Sequence, residues 1–556
     1  MADVEVKLND FLFNAGVVGF CKVLDYANKP FKKTGNKVIF DEEVIVDFEK
    51  DYINAMIDEF KEDTVWNEII QEGKNIKHLN LEVDEEQKIL IDFFKKINEK
   101  LDRASYKSGV EIIKNYGDDF EVYEIFKKAK EEKNLDTKKD YIEQVLEYVK
   151  KYKEVFCMKD IIYTKIDKFW QNVSFLNSQK NKEDIGQEYR TTFVEPAIKY
   201  IETDKKGNLC CISCGSKITK TIGKSMAWIK DVGVDFNRKT SMFWNFNPDI
   251  FICPICSVIY SCVPLGFSMI GQDGIFINSN ENIDFLIDVN NTEKARTYII
   301  EKDSSKSSID SISNNIFYKL LKLSEQEDNV LKVKNEIENI QVIRRKVIDR
   351  DNQKYIFNLI SKDKLNVFRN TESNFESLIN IVFKTNEGYL NIYEEVLHNF
   401  LENKKQYNLL NKILYSGLKD NKSISFIYHI LIINLNCIGG RSVEEVKKEI
   451  NYMMRSGNAL RNYFNTNGGE NVDNKLRAYT YHLINALNVN NVSEFMKIVT
   501  RMYNGLGQDI PNAYGFSKML NNEDDFQTLG YAYILGLKQS KRVENEENKK
   551  EENKDE

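Results

Sequence analysis

The chain has 556 residues, of which 42% are hydrophobic and 30% charged, with 33 Phe, 28 Tyr and only six prolines. This composition excludes a collagenous, wholly disordered or disulfide-stapled polypeptide, and at roughly 100–200 residues per domain the length predicts about three folding units. A net charge of −7 excludes a protein coated in basic surface, so any contact with a polyanion has to come from local patches.

Residues 1–205 read as a mainly helical domain with a little strand. Asp3, Glu5 and Asp10 outweigh Lys7 in the first ten residues, the wrong sign for an export signal, and the cysteine usage described below suits a reducing cytoplasm. Asp10 is placed to cap a helix from Phe11 to about Tyr26. Val38–Phe40 and Val44–Val46 predict a short strand. Ile142, Val145, Leu146, Val149 and Tyr152 recur at the spacing of a helix face.

The texture changes near residue 205. Residues 206–280 are rich in Cys, Gly, Pro and aromatic side chains, with β-like runs at 249–253, 258–263 and 274–278. Cys211-Ile-Ser-Cys214 and Cys253-Pro-Ile-Cys256 are two C-x-x-C turns separated by 38 residues. Each turn puts two sulfurs on one side of a tight loop, and two turns complete a tetrahedral thiolate shell for zinc at about 2.3 Å. Four thiolates leave no open position, so the expected zinc is structural. Cys210 breaks the x-x spacing and Cys262 sits in an apolar run, which makes both bystanders.

Between the cysteine pairs lie Lys217, Lys220, Lys224, Lys230, Arg238 and Lys239, against Asp231, Asp235 and Asp249. Hydroxyls and the rings of Trp228, Phe243 and Trp244 are interleaved with them. Cations with hydroxyl donors suit phosphate oxygens and rings can stack on bases, so Lys217, Lys220, Lys224, Arg238 and Lys239 are candidate nucleic-acid ligands; Trp244 is more simply a core residue. Gly223-Lys224-Ser225 resembles the end of a phosphate-binding loop but has Ile218 where that loop needs glycine.

Residues 281–362 read as a mixed α/β region. After a Ser-rich stretch at 304–313, Ile340–Val347 and Tyr355–Ile360 flank Asp349–Asn352 and predict a hairpin. From 363 to 540 the pattern is that of a helical bundle, clearest in the stripe Val492, Phe495, Met496, Val499, Met502 and Tyr503. Its cations Arg455, Arg461, Arg477, Lys497 and Arg501 form a second candidate nucleic-acid surface. The longest apolar run, Ile424–Ile438, is interrupted by His429, Asn434 and Asn436 and is shorter than the roughly 20 residues of a bilayer span. Residues 541–556 are nearly all charged or Asn and predict a disordered tail. His78, His398, His429 and His482 are scattered, and neither they nor the carboxylates assemble a catalytic set. The expected fold is α+β and predominantly helical, with an inserted zinc module and a C-terminal helical bundle, and the chain reads as no enzyme.

Phe11-Leu-Phe-Asn-Ala-Gly-Val-Val-Gly-Phe20, together with Arg238-Lys-Thr-Ser-Met-Phe-Trp-Asn-Phe-Asn-Pro-Asp-Ile-Phe-Ile-Cys-Pro-Ile-Cys256 and the earlier Cys211 and Cys214, resembles the large subunit of type I-B CRISPR surveillance complexes (Cascade), in the Cst1-like branch. The order of parts is similar over nearly the whole chain. The resemblance implies a non-catalytic subunit that contacts crRNA and target DNA, reads the protospacer-adjacent motif, helps open the duplex, and engages other Cascade subunits and a helicase-nuclease. The resemblance places no motif-reading residue by pattern; Asn14, inside the first motif, is a candidate nucleic-acid residue, with capping or packing within its own helix as the other reading. The alternative is a zinc scaffold that binds only protein.

Overall fold

In the computed structural model the described residues are 3–77, 83–132, 134–177, 184–202, 207–232, 250–292, 314–316, 318–320, 322, 340–348, 353–385, 388–420, 424–439, 441–467, 472–510 and 513–538. The Ser-rich stretch, Phe243, Trp244, Arg238, Lys239 and the charged tail lie outside them. The chain divides into two compact units, the first made of Met1–Lys302, Ile309–Asn315 and Ile340–Phe357, the second of Asp303–Ser308, Ile316–Asn339 and Asn358–Glu556.

In the first unit, β1 (Asp3–Lys7) leads into α1 (Phe11–Tyr26). Asp10 caps α1 as its sequence predicts: Oδ1 accepts the N–H groups of Leu12 at 2.9 Å and Phe13 at 3.0 Å, satisfying two donors the first turn leaves open. Every residue from Leu12 to Cys21 is buried, so α1 is a core helix and not a surface one. β2 (Phe31–Thr34) and β3 (Lys37–Asp41) join β1 in an antiparallel sheet of order β1-β3-β2, with Val6 opposite Val38. The strand expected to continue through Val44–Val46 does not form. Asp41 accepts the N–H of Glu43 at 2.9 Å and turns Glu42–Ile45 into a 3-10 helix.

Helices from Phe48 to Thr164 build the rest of this body; the stripe read at Ile142–Val149 belongs to helix Leu135–Lys151 and is buried. One core gathers Trp66, Phe93, Ile97, Val149 and Phe156. A second contains α1, Phe40, Phe48 and Trp170 together with Cys211, Ile218, Trp228, Ile252 and Cys256. The cysteine module therefore shares its core with the N-terminal elements.

The apolar run at 258–263, expected as strand, is helical: α2 (Pro254–Ser261) is followed by the short α3 (Val263–Gly266). Cys253 caps α2 and Pro254 occupies its first turn, where a missing N–H costs nothing. Every residue of α2 is buried, so no amphipathic period marks it in the sequence. β4 (Ser268–Ile270), β5 (Asp273–Asn278), β6 (Ile340–Val347) and β7 (Gln353–Ile360) then form a sheet of order β7-β6-β5-β4. The predicted hairpin is its β6–β7 half.

The second unit is mainly helical. Its centre is α5 (Glu523–Lys538), buried at every position from Asp525 to Leu537 and packed against α4 (Val443–Asn467) and the helices Ile427–Ile438 and Val472–Asn488. Helix Val492–Asn504 buries Phe495, Val499, Met502 and Tyr503, the side of the stripe its sequence predicts. No helix among the described residues is long and apolar enough to cross a membrane.

Candidate metal centre

Each half of the cysteine cluster is shaped by backbone hydrogen bonds before any ion is considered. In the first turn the Gly215 N–H donates to Cys211 O at 2.9 Å and the Cys211 N–H to Ser216 O at 2.8 Å. Gly215 has φ +72°, which glycine adopts without the Cβ clash other residues meet. In the second turn the Cys256 N–H points at Cys253 Sγ, 3.4 Å away. The Ile212 N–H donates to Phe251 O at 3.1 Å and fastens one turn to the strand that enters the other.

This brings together the Sγ atoms of Cys211, Cys214, Cys253 and Cys256, all within 4.8 Å of one another. Cys214 and Cys253 are 3.7 Å apart, close to the edge of about 3.8 Å for a tetrahedron of sulfurs around zinc. Their electrostatics also call for a cation. Interaction with Cys211 first, then with Cys253 and Cys256, holds the Cys214 thiol well down, whereas Cys211 and Cys214 push Cys253 and Cys256 up. Four sulfurs this close cannot all ionise alone; a dication lets them. Cys211, Cys253 and Cys256 are buried and Cys214 is exposed. The donor set therefore fits a closed structural site. Cys210 is exposed and Cys262 lies in the core; neither belongs to the cluster.

The module is tied to the start of α1. Tyr260, on α2, donates its hydroxyl to Asp10 Oδ2 at 2.8 Å, and the Ser213 hydroxyl lies 3.1 Å from the same phenol. The Asn9 amide donates to Ser213 O at 3.2 Å. Tyr260 was not singled out from the sequence; one helical turn beyond Cys256, it becomes a candidate only once this run is known to be helix.

The candidate cations separate into different environments. Lys217 and Lys220 are exposed, and the Lys217 ammonium lies 3.5 Å from Cys210 Sγ. Lys224 is turned inward: Nζ sits 3.8 Å from the Phe193 ring centroid and 5.0 Å from that of Trp228, and donates to Thr192 O at 3.1 Å. It is a packed strut between strand Lys224–Ser225 and the helical scaffold, which corrects its placement in the surface patch. Lys230 donates to Asp167 O. In the second unit Arg455, Arg477, Lys497 and Arg501 are exposed, Lys497 lying 3.5 Å from Glu494. Arg461 is spent internally, on Leu537 O at 2.9 Å and Asp473 Oδ1 at 2.8 Å.

For Asn14 the packing alternative is the one the structure shows, not the nucleic-acid one. It is fully buried, its Nδ2 donates to Asn278 Oδ1 at 2.7 Å and Asn280 Oδ1 at 2.6 Å, and its Oδ1 accepts the Asn9 N–H at 2.7 Å. Its amide joins α1 to the end of β5 and has no face left for a nucleic acid.

Residues 203–268 match the model of a family described as CRISPR-associated protein (Cas_CXXC_CXXC). All four clustered cysteines, with Lys217, Lys220 and Tyr260, fall inside that segment. No curated protein and no solved structure matches the chain. The similarity is to CRISPR-associated proteins and covers the cysteine module.

Proposed function

We propose that this chain is a non-catalytic, nucleic-acid-binding subunit of a crRNA-guided CRISPR complex, the large subunit of a type I-B Cascade. In this reading it contacts crRNA and target DNA, reads the protospacer-adjacent motif, helps open the duplex and engages a helicase-nuclease. The observation that carries the proposal is the match of residues 203–268 to a CRISPR-associated family, centred on a tetrathiolate cluster that presents the exposed Lys217 and Lys220. Zinc is the metal this donor set suits, and a closed four-sulfur shell makes it a staple, not a Lewis acid. The staple holds strand Lys217–Ile218, paired with Leu209–Cys210, and the turn that carries Lys220 against a rigid core, which is how a small basic patch on an acidic protein gains a fixed geometry.

The test is DNA capture by the chain assembled with crRNA and its complex partners. Affinity for target duplex should fall with salt, log K changing by about −0.9 per duplex phosphate neutralised. The double variant Lys217→Glu, Lys220→Glu should weaken capture and leave folding intact, because both side chains are exposed. Lys224 is left out of that variant because its inward position would confound binding with unfolding. A chain that assembles with its partners but crosslinks to neither DNA nor crRNA would refute this reading in favour of a zinc scaffold that binds only protein.

A further inference from the structure

Of the four clustered cysteines, Cys211, Cys253 and Cys256 are buried and Cys214 is exposed. A ligand competing for the metal therefore meets Cys214 first. Cys253 Sγ takes its hydrogen bond from the Cys256 backbone N–H at 3.4 Å, a donor that no side-chain change removes. Cys214 depends on a side chain. The Ser216 hydroxyl oxygen lies 3.2 Å from its Sγ, and the contact is at the surface. The backbone holds Ser216 in that place: Gly215 turns the chain with φ +72°, and the Cys211 N–H donates to Ser216 O at 2.8 Å. The next side chain, the Lys217 ammonium, is turned to Cys210 Sγ at 3.5 Å.

We infer that Ser216 is a positioning residue for the metal, its hydroxyl donating to the Cys214 thiolate and holding shut the edge by which the ion enters and leaves. The inference rests on the metal reading of the cluster and adds which ligand opens first. A serine hydroxyl rotates, so its proton goes to the strongest acceptor in reach. Two are present, the Cys214 sulfur and the phenol oxygen of Tyr200. A metal-bound thiolate carries charge and the phenol does not, so the sulfur wins. Such a donor spreads the thiolate charge and fixes the direction of its side chain, easing the repulsion among four sulfurs around one dication. Losing it leaves an exposed thiolate open to protonation and to rotation away from the ion. The turn that carries Cys214 also carries Ser213, whose hydroxyl lies 3.1 Å from the Tyr260 phenol and through it meets Asp10. Opening this edge therefore loosens the cap of α1.

The experiment is zinc release from the full chain to an excess of a colorimetric chelator, followed by stopped-flow absorbance, with cobalt-loaded protein read alongside. Ser216→Ala should release zinc about 10-fold or more faster than wild type, the lower end of the effect of losing a donor to a metal ligand. Its sulfur-to-cobalt charge-transfer band should move to longer wavelength, because a thiolate without its hydrogen bond gives up electron density more easily. The d–d bands of four-sulfur coordination should stay. Ser216→Thr keeps the hydroxyl and should restore both rate and band. Thr221→Ala removes an exposed hydroxyl of the same module and should match wild type. A wild-type release rate in Ser216→Ala, or a charge-transfer band that does not move, overturns the inference. Release from Thr221→Ala as fast as from Ser216→Ala also overturns it, since the effect is then a general loosening of the module. Wild-type protein that holds no zinc defeats the metal reading itself; zinc-loaded protein indifferent to residue 216 defeats only the role of Ser216.

Discussion

A β-carbon on Gly19 would stand 2.0 Å from the backbone oxygen of Cys262. The same closeness recurs along that seam: one on Gly16 would lie 2.5 Å from Ile259 O, and one on Gly266 2.0 Å from Ala15 O. The glycines of the N-terminal motif thus let α1 meet α2 and α3 backbone to backbone, where no rotamer change can relieve an added methyl. Gly19→Ala should destabilise the first unit by about 3 kcal/mol or more, at the upper end of overpacking costs. Gly109→Ala, whose added carbon meets nothing nearer than 3.6 Å, should change stability by no more than about 1 kcal/mol. Thermal unfolding of the two variants beside wild type checks the difference, and equal shifts would disprove the close approach.

Removing the metal should loosen the same seam. Cys256→Ser takes away one sulfur of the cluster and leaves the cap of α2 in place. The prediction is about one equivalent of zinc in the wild-type protein by elemental analysis, well under half an equivalent in the variant, and a lower melting temperature in the variant. Chelator should lower the wild-type melting point and leave the variant unmoved. Wild-type protein that purifies without metal and melts at the same temperature with or without chelator would remove the staple from the argument.

Much of this was readable from the chain. Asp10 before an apolar run located the start of α1, and paired C-x-x-C turns located the cluster, because capping and thiolate coordination depend on residue type at short spacing. What escaped depends on distant neighbours. The helix after Cys253 is buried on every face, so its Ile-Cys-Ser-Val-Ile-Tyr run carries no period. Lys224 has the composition of a surface residue and ends between Phe193 and Trp228 because the Thr192 carbonyl and two rings receive its ammonium. That Asn14 packs within the fold was among the readings its sequence offered, but its partners Asn278 and Asn280, far along the chain, were not legible. Small side chains at 16 and 19 announced nothing until the helix they touch was in place.

Lys224 gives a pH prediction with a definite sign. Burial pushes its ammonium down to about 7 from 10.5. Between those values the unfolded chain binds a proton that the folded chain does not, so this group's penalty is full below about pH 7 and stability rises as pH climbs from there toward 10. The cation–π contact with Phe193 favours the charged form and makes the rise shallower. Lys224→Met keeps the stem and removes the titration. From about pH 7 to 9.5 the wild-type melting temperature should gain on that of the variant. Parallel curves would mean the ammonium stays charged between the rings.

In the bundle, a β-carbon on Gly536 would come within 2.0 Å of Met454 O, and one on Gly457 within 2.2 Å of Tyr533 O. α4 and α5 therefore cross at a point where both present bare backbone. Gly530, on the same central helix, meets a different obstacle: its added carbon would lie 2.4 Å from Leu487 Cδ2, a side-chain methyl that can rotate away. Alanine favours helix over glycine by about 1 kcal/mol, so Gly530→Ala gains in propensity part of what it loses in packing. At Gly536 the obstacle is a carbonyl held in its own helix, and the crossing must widen, exposing apolar surface along both helices. Gly536→Ala should accordingly cost at least about 2 kcal/mol more than Gly530→Ala. Urea unfolding followed by far-UV circular dichroism measures both, and variants of equal stability would contradict the backbone contact between α4 and α5.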